Sequence, residues 1–261
     1  MREKIGEYTF VHRSDDFPDA ISFIQSAMDP GQRLSGGRGG PGLFTFGEKK
    51  FVCRQYWHGG LLRGITGGVF PGEDRAAREF EVTTYLEKTG FPVVRAVGYI
   101  ARRSSLANEL FFITAFVENA RDIVEYFRST NARKRLRMAR KLAHYFFRLG
   151  ELGIYHPDLH LRNILVDPAD RLFFLDFDKS IRKDTGLNDY ERMFWRLDRY
   201  VRKYASDFGI PVNDRERLIF LRTFERISGQ KIIARMAENN EKKQRSARLG
   251  WYVDRLFYKT K

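Results

Sequence analysis

The chain has 261 residues, of which 43% are hydrophobic and 15% aromatic, so it can bury a core as one body or two small lobes and is not a disordered protein. Its formal net charge of +14 favours anionic partners: nucleic acid, an anionic membrane surface or a polyanionic substrate. The single cysteine, Cys53, excludes an intramolecular disulfide, and no run approaches the roughly 18 apolar residues of a transmembrane helix.

The first half of the sequence predicts a strand-rich region. Apolar and polar residues alternate in several short runs that are separated by glycine-rich turns. In chain order the predicted elements are a short helix near 21–28, a hairpin over 43–56, a helix over 74–88 that stops at Gly90, and strands over 92–100 and 110–116.

The second half predicts mainly helices, because its apolar residues recur with a period near 3.6. The predicted elements are helices over 133–152 and 190–204, two or three helices within 213–258, and two short strands over 164–166 and 172–175. We therefore expect an α+β protein with two lobes, a β-rich N-lobe over 1–118 and a helical C-lobe over 119–261, and a nucleotide in the cleft between them.

The most informative stretch contains three polar residues in a pattern typical of magnesium-dependent phosphoryl transfer. Asp158 and Asn163 lie five residues apart, and Asp176 follows an apolar run. Asp158 would accept the proton of the attacking hydroxyl as the catalytic base, and Asn163 and Asp176 would hold the metal that bridges the ATP phosphates. The spacing repeats the catalytic loop and the D-F-G triplet of protein kinases.

Upstream glycines supply a candidate phosphate loop. Gly37, Gly39 and Gly42 match G-x-G-x-x-G, with Arg38 among them. The match alone is weak, because glycines also cluster in ordinary turns. Its place before a predicted hairpin favours a kinase phosphate flap over a dinucleotide site.

A kinase also needs a cation on the following strand and a carboxylate that holds it. Arg54 occupies the strand position at which kinases usually have lysine, and an arginine there can still bind phosphate. Lys49 and Lys50, in the expected turn, are fallback candidates. Glu79 is the expected partner of Arg54, and Glu81, on a different face of the same helix, is the alternative.

Four residues near the catalytic stretch are weaker candidates for substrate binding. His160 and Arg162 lie inside the expected catalytic loop, where a carboxylate or phosphate could meet them. Asp178 replaces the glycine of D-F-G, and Lys179 or Arg182 could neutralise it or bind an anionic acceptor. His160 and Arg162 could equally face solvent.

These residues together resemble the lipopolysaccharide kinase family, the Kdo and WaaP group of kinase-like proteins. The resemblance covers roughly residues 36–205 and includes an arginine, not a lysine, on the strand, followed by a double glycine. The segments that carry it are Gly37–Gly39, Val52–Gly60, Arg78–Phe80, Gly90–Arg95, His156–Leu159, Asn163–Leu165 and Leu175–Lys179.

The resemblance implies a fold like that of protein kinases, ATP and Mg²⁺ as cofactors, and an inner-core sugar of lipopolysaccharide as acceptor. Kdo-lipid A would be phosphorylated on its Kdo residue by a peripheral enzyme at the cytoplasmic face of the bacterial inner membrane. The basic charge suits that substrate and surface. Residues 231–261, which are rich in Lys and Arg and contain interleaved aromatic residues, are the candidate membrane contact or, equally, a packed helix.

Other functions stay open from the sequence alone. The acceptor could be a core heptose, another small metabolite or a protein. A basic pseudokinase or nucleic-acid-binding module is a different class, which the retained trio of Asp158, Asn163 and Asp176 argues against. We therefore expect no nucleic-acid partner and infer no obligate protein partner.

Overall fold

The computed structural model describes residues 1–13, 17, 19–34, 40–58, 68–104 and 107–238. These residues form two compact units. The first unit takes in the described residues of 1–122 and 162–180, and the second takes in those of 123–161 and 181–261. The helices and antiparallel sheets confirm the predicted α+β class. No helix in the described ranges is long and apolar enough to cross a membrane.

An antiparallel sheet of eight described strands dominates the first unit. Its order is β1-β2-β7-β8-β5-β4-β3, and β6 pairs with β8 beside this path. The strands are β1 (Arg2–Ile5), β2 (Tyr8–His12), β3 (Gln32–Arg33), β4 (Gly42–Phe46), β5 (Lys49–Gln55), β6 (Val69–Phe70), β7 (Ala96–Ser104) and β8 (Ala107–Ala115).

The sheet buries apolar side chains on both faces. One cluster joins Phe44, Phe51 and Cys53 to Phe23 of helix α1 (Ala20–Met28). A second cluster joins Tyr56, Tyr99 and Phe112 to Ala76 of helix α2 (Asp74–Lys88). Because side chains alternate along a strand, Arg54 follows Cys53 onto the opposite face, the one that carries α2.

A small sheet completes the first unit. It consists of β9 (Arg121–Asp122), β11 (Ile164–Val166) and β12 (Leu172–Phe174), in the order β12-β11-β9. Ile164 pairs with Phe174 and Val166 with Leu172. Asp167 fixes the turn between β11 and β12, since its Oδ1 accepts hydrogen bonds from the backbone N–H groups of Ala169 (3.0 Å) and Arg171 (2.8 Å).

The second unit is mainly helical. Its helices are α3 (Ile123–Ser129), α4 (Ala132–Glu151), α5 (Leu187–Phe208), α6 (Asp214–Ser228) and α7 over 232–238. Strands β10 (Ile154–Tyr155) and β13 (Ile181–Arg182) pair with each other. Aromatic residues of α4, α5 and α6 fill the core, with ring centroids 5.7 Å apart for Phe146 and Phe194 and 4.7 Å for Phe194 and Phe224.

The structure confirms the predicted hairpin and the long helices and corrects several details. Lys49 and Lys50 lie in β5, not in a turn. The strand predicted over 92–100 begins at Ala96, and the stretch before it makes an isolated bridge from Val93 to Phe174. The hairpin of β1 and β2 was not predicted. The helices predicted beyond residue 238 lie outside the described residues.

Candidate active site

An ion pair between half-buried Arg54 and buried Glu79 lies on the α2 side of the large sheet. Arg54 Nη2 donates hydrogen bonds to Glu79 Oε1 at 2.8 Å and Oε2 at 2.7 Å. Glu79 is only 1% exposed, whereas Glu81 on the same helix is exposed. The structure therefore pairs Arg54 with Glu79, as the helical spacing predicted.

Tyr56, the residue directly after β5, also contacts this pair. Its hydroxyl donates to Glu79 Oε2, and its ring centroid lies 4.7 Å from the guanidinium carbon of Arg54. Burial raises the pKa of Glu79 to about 7, although the charge of Arg54 opposes the shift. Burial acts against the charge of Arg54, but Asp176 and Glu79 outweigh it and raise the pKa of Arg54 above its ordinary value.

Asn163 and Asp176 are brought together by the β11–β12 hairpin. The hairpin register continues past Ile164 and Phe174, so that the N–H of Leu175 donates to the backbone oxygen of Asn163 at 3.0 Å. Asp176 follows directly with φ of 67°, a left-handed conformation that aspartate tolerates better than most residues. Arg54 Nη2 lies 3.3 Å from Asp176 Oδ1. One region of the first unit thus contains Arg54, its partner Glu79, and the predicted metal ligands Asn163 and Asp176.

The donor set fits a hard divalent cation. Asp176 Oδ1 is buried and has the ion-pair contact with Arg54 but no hydrogen bond from the described residues, and Asn163 is 6% exposed. A carboxylate and an amide oxygen are ligands that Mg²⁺ accepts, and magnesium sites in kinases are completed by substrate phosphates and water. No group of three or more His, Cys, Asp or Glu residues in the described ranges forms a metal cluster, so phosphate oxygens would have to supply further ligands.

Arg75 neutralises Asp178. Its Nε donates to Asp178 Oδ2 at 3.0 Å, its Nη2 contacts the same oxygen, and its Nη1 donates to the carbonyl of Trp57 at 3.2 Å. The guanidinium carbon lies 5.0 Å from the ring centroid of Tyr56, which therefore contacts two guanidinium groups. Arg75 was not predicted from the sequence, but its position one helical turn before Glu79 is a signal that could have identified it.

Asp158 belongs to the second unit and forms an ion pair there. Its loop is anchored by His156 and Leu159, both fully buried. Arg196 of α5 contacts Asp158 Oδ1 through Nη2. Arg196 was not predicted from the sequence, because it lies 38 residues after Asp158 and no local pattern connects the two residues.

The weaker candidates have separate positions. His160 stacks near Tyr200, with ring centroids 4.4 Å apart. Arg162 lies 3.8 Å from Asp122 in the first unit, and Lys179 is exposed. None of these contacts tests a role in substrate binding.

The glycine loop is only partly described. Gly37, Arg38 and Gly39 lie outside the described residues. Gly42 begins β4 and pairs with Cys53, and a Cβ atom there would lie 2.4 Å from Pro30 Cγ. Close packing against Pro30 is therefore a sufficient reason for glycine at this position, whether or not it approaches a phosphate.

Known proteins match this chain over the region that contains the site residues described above. Residues 34–221 match the lipopolysaccharide kinase (Kdo/WaaP) family. A 3-deoxy-D-manno-octulosonic acid kinase of Vibrio parahaemolyticus is 26% identical over 175 residues, 66% of this chain and 71% of the relative. Proteins of the same name are 27% identical over 214 residues in Xanthomonas oryzae (79% and 85%) and 28% identical over 192 residues in Actinobacillus succinogenes (68% and 79%).

Proposed function

The chain belongs to the lipopolysaccharide kinase (Kdo/WaaP) family, as its sequence motifs indicated, and we propose that it transfers the γ-phosphate of ATP to a hydroxyl of Kdo in Kdo-lipid A. The family and the names of its relatives make it a lipopolysaccharide sugar kinase, a phosphotransferase with a nucleotide substrate. The observation that carries the finer proposal is Arg54, which is held by buried Glu79 and lies 3.3 Å from Asp176.

We assign the nucleotide to the first unit. Arg54 would bind the phosphates, and Glu79 would fix the guanidinium so that little conformational entropy is lost on binding. Gly37, Arg38, Gly39 and Gly42 remain the proposed phosphate loop. The β-rich first unit and the helical second unit support a kinase-like fold, with 1–118 as the proposed N-lobe and 119–261 as the C-lobe.

Asn163 and Asp176 would hold Mg²⁺. The bound cation would neutralise charge on the phosphate oxygens. The left-handed backbone at Asp176 and the hydrogen bond from Leu175 to Asn163 support this proposal, because they hold the backbone that carries the two side chains. Preorganised donors of this kind lose little energy to reorganisation during the reaction.

Asp158 is the proposed catalytic base. It would accept the proton of the sugar hydroxyl while the sugar oxygen bonds to the γ-phosphorus and the bond from that phosphorus to the bridging oxygen of ADP breaks. Arg196 holds the carboxylate in one orientation through its ion pair. Phosphoryl transfer has a loose transition state, so orientation of the nucleophile contributes more than strong basicity.

The acceptor would reach the enzyme at a membrane surface. Kdo-lipid A is anionic, and the formal net charge of +14 favours a peripheral position at the cytoplasmic face of the inner membrane. We propose no nucleic-acid partner and no obligate protein partner.

The test is transfer of labelled phosphate from ATP to purified Kdo-lipid A, with heptosylated core and a generic protein as parallel acceptors. We expect Kdo-lipid A to be labelled and Asp158→Ala to lower the rate at least 100-fold, the scale of a lost acid–base group. Asp184→Ala, which removes an exposed aspartate of the same unit, should keep the wild-type rate. Labelling of heptosylated core or protein alone would move the function to that acceptor, and full activity of Asp158→Ala would exclude its role as base.

A further inference from the structure

A basic cavity lies beside the Asp158 loop in the second unit. Its volume is about 760 Å³, and Pro157, the residue before Asp158, is part of its wall. Five arginines line it: Arg192, Arg196, Arg199, Arg202 and Arg235. Glu191 and Asp198 are the carboxylates of the lining, so the cavity keeps an excess of positive charge.

The arginines share one face because of the helical repeat. Arg192, Arg196 and Arg199 follow each other along α5 at spacings of four and three residues, which places them in one row. Trp195 adds an aromatic wall, and its indole N–H donates to Glu191 Oε1 at 3.3 Å. Like charges in such a row repel each other, so the row itself does not stabilise the helix.

The two carboxylates of the lining already have cationic partners. Arg202 Nε donates to Asp198 Oδ2 at 2.8 Å, and Arg235 Nε donates to Glu191 Oε2 at 2.6 Å. Arg192 and Arg199 are exposed, and neither forms an ion pair with any carboxylate of the described residues. Arg192 also interacts electrostatically with Asp189, whose carboxylate is already paired with Lys183, so the two guanidinium groups are at most partly compensated and remain able to bind an anion.

The remaining arginine connects the cavity to the proposed chemistry. Arg196 lies between Arg192 and Arg199 in the row and contacts Asp158 directly. Guanidinium groups bind carboxylates and phosphates through paired hydrogen bonds, which fix the orientation of the bound anion. An oxyanion held by Arg192 and Arg199 would thus have a defined position relative to Asp158.

We propose that this cavity binds an oxyanion group of the acceptor, with Arg192 and Arg199 as its direct ligands. The inference rests on the proposed function and adds a binding site to it. Kdo carries a carboxylate and lipid A carries phosphates, and both are oxyanions that this site would accept. The cavity explains how a sugar kinase selects an acidic sugar, because a neutral hexose would leave both guanidinium groups unpaired.

The first experiment measures binding without catalysis. Ligand-observed NMR titrations would use three soluble probes: the Kdo monosaccharide, its methyl ester and glucosamine 1-phosphate. The double variant Arg192→Gln/Arg199→Gln is compared with Arg140→Gln/Arg222→Gln, which removes two exposed arginines elsewhere in the same unit. We expect the first variant to weaken binding of at least one oxyanion probe about tenfold or more and the second to leave it within twofold.

The probes identify the anion. Loss of Kdo binding, with the methyl ester already weak and insensitive to the variant, assigns the carboxylate. Loss confined to glucosamine 1-phosphate assigns the phosphate. Equal binding by wild type and both variants, or no binding of any probe, would overturn the proposal.

Steady-state kinetics on Kdo-lipid A separates this proposal from the proposed function. In Arg192→Gln/Arg199→Gln we expect the acceptor KM to rise about tenfold with a smaller change in kcat, and Arg192→Lys/Arg199→Lys to recover part of the loss. If the glutamine variant keeps the wild-type acceptor KM, the proposed anion-binding role of the cavity is wrong, while the proposed kinase function still stands. A wild-type enzyme that labels no lipopolysaccharide acceptor, but binds oxyanions through these arginines, would overturn the proposed function and leave the cavity standing.

Discussion

Glu79 combines a charge that the proposed site needs with an environment that opposes it. Its carboxylate is 1% exposed and contacts Arg54 and Tyr56. Burial raises its pKa from the ordinary value of 4.5 to about 7. The folded protein therefore binds a proton at Glu79 more tightly than the unfolded chain does, and ionisation of this residue costs stability.

We expect the stability that protonated Glu79 contributes to be present below about pH 4.5 and lost as the pH rises to about 7. Relative to Glu79→Gln, which is neutral throughout, the wild-type protein should lose up to about 3 kcal/mol across this window, because one pKa unit corresponds to about 1.4 kcal/mol. Urea unfolding at pH 5, 6, 7 and 8 measures the difference. Glu81→Gln is the control, since that side chain is exposed.

Parallel stability curves for wild type and Glu79→Gln would contradict the raised pKa. A wild-type curve that instead gained stability toward pH 7 would mean that Arg54 outweighs burial. In either case the ion pair would be less costly than its burial suggests.

At the scale of single residues, spacing in the sequence identified the candidates that lie in one chain segment or follow a helical repeat. The apolar runs between Asn163 and Asp176 were enough to select these two residues as candidates. The place of Glu79 on a predicted helix was enough to select it. Arg75 and Arg196 were missed for different reasons: Arg75 had a usable helical signal, whereas the contact of Arg196 with Asp158 depends on how α5 packs in the second unit. Ion pairs between distant elements leave no periodic trace.

Among the elements, α6 begins with a capping box in which Asn213 and Glu216 exchange hydrogen bonds. Glu216 accepts a hydrogen bond from the N–H of Asn213 at 3.1 Å, while the side chain of Asn213 accepts one from the N–H of Arg215 at 2.9 Å. Glu216 is also 4% exposed and accepts a hydrogen bond from Arg135 Nε of α4 at 3.0 Å. One carboxylate thus caps α6 and ties it to α4.

Replacing Glu216 by alanine should destabilise the protein by about 3–5 kcal/mol, since it leaves the buried guanidinium of Arg135 without its charge partner. Glu216→Gln should cost less, because an amide can still cap the helix. Asp214→Ala, two residues earlier in the same helical turn and with a side chain 97% exposed, should change stability by less than about 1 kcal/mol. Chemical unfolding monitored by circular dichroism measures all three, and similar values for Glu216→Ala and Asp214→Ala would refute the double role.

Hydrophobic periodicity predicted the helices and the central hairpin, because their buried faces are continuous. The hairpin of β1 and β2 was not predicted, since β1 alternates exposed and half-buried residues and has few apolar side chains of its own. Its partner β2 is buried mainly through pairing with β7, and such long-range pairing is not encoded locally. The late start of β7 has a similar cause: the backbone of Phe174 accepts a hydrogen bond from the N–H of Val94 and donates one to the carbonyl of Pro92.

For the whole molecule, the formal net charge of +14 is divided among different tasks. Some arginines form ion pairs with buried carboxylates, as Arg54 and Arg135 do. Others, such as Arg192 and Arg199, line the basic cavity. Residues 239–261, which lie outside the described residues, hold seven Lys and Arg against two acids. Their sequence interleaves these cations with aromatic side chains, a pattern typical of peripheral membrane contact.

We therefore expect the protein to bind vesicles that contain phosphatidylglycerol and not vesicles of phosphatidylcholine alone. Each basic residue near an anionic surface contributes about 1 kcal/mol, so replacing Lys242, Lys243, Arg245 and Arg248 by glutamine should weaken binding more than tenfold. Vesicle flotation at low salt and in about 0.5 M NaCl, where screening should release the protein, measures this. The matched control replaces four exposed arginines of α4 and α6, namely Arg133, Arg137, Arg140 and Arg222. Equal loss in both variants would show that the whole basic surface, and not the C-terminal segment, attracts the membrane.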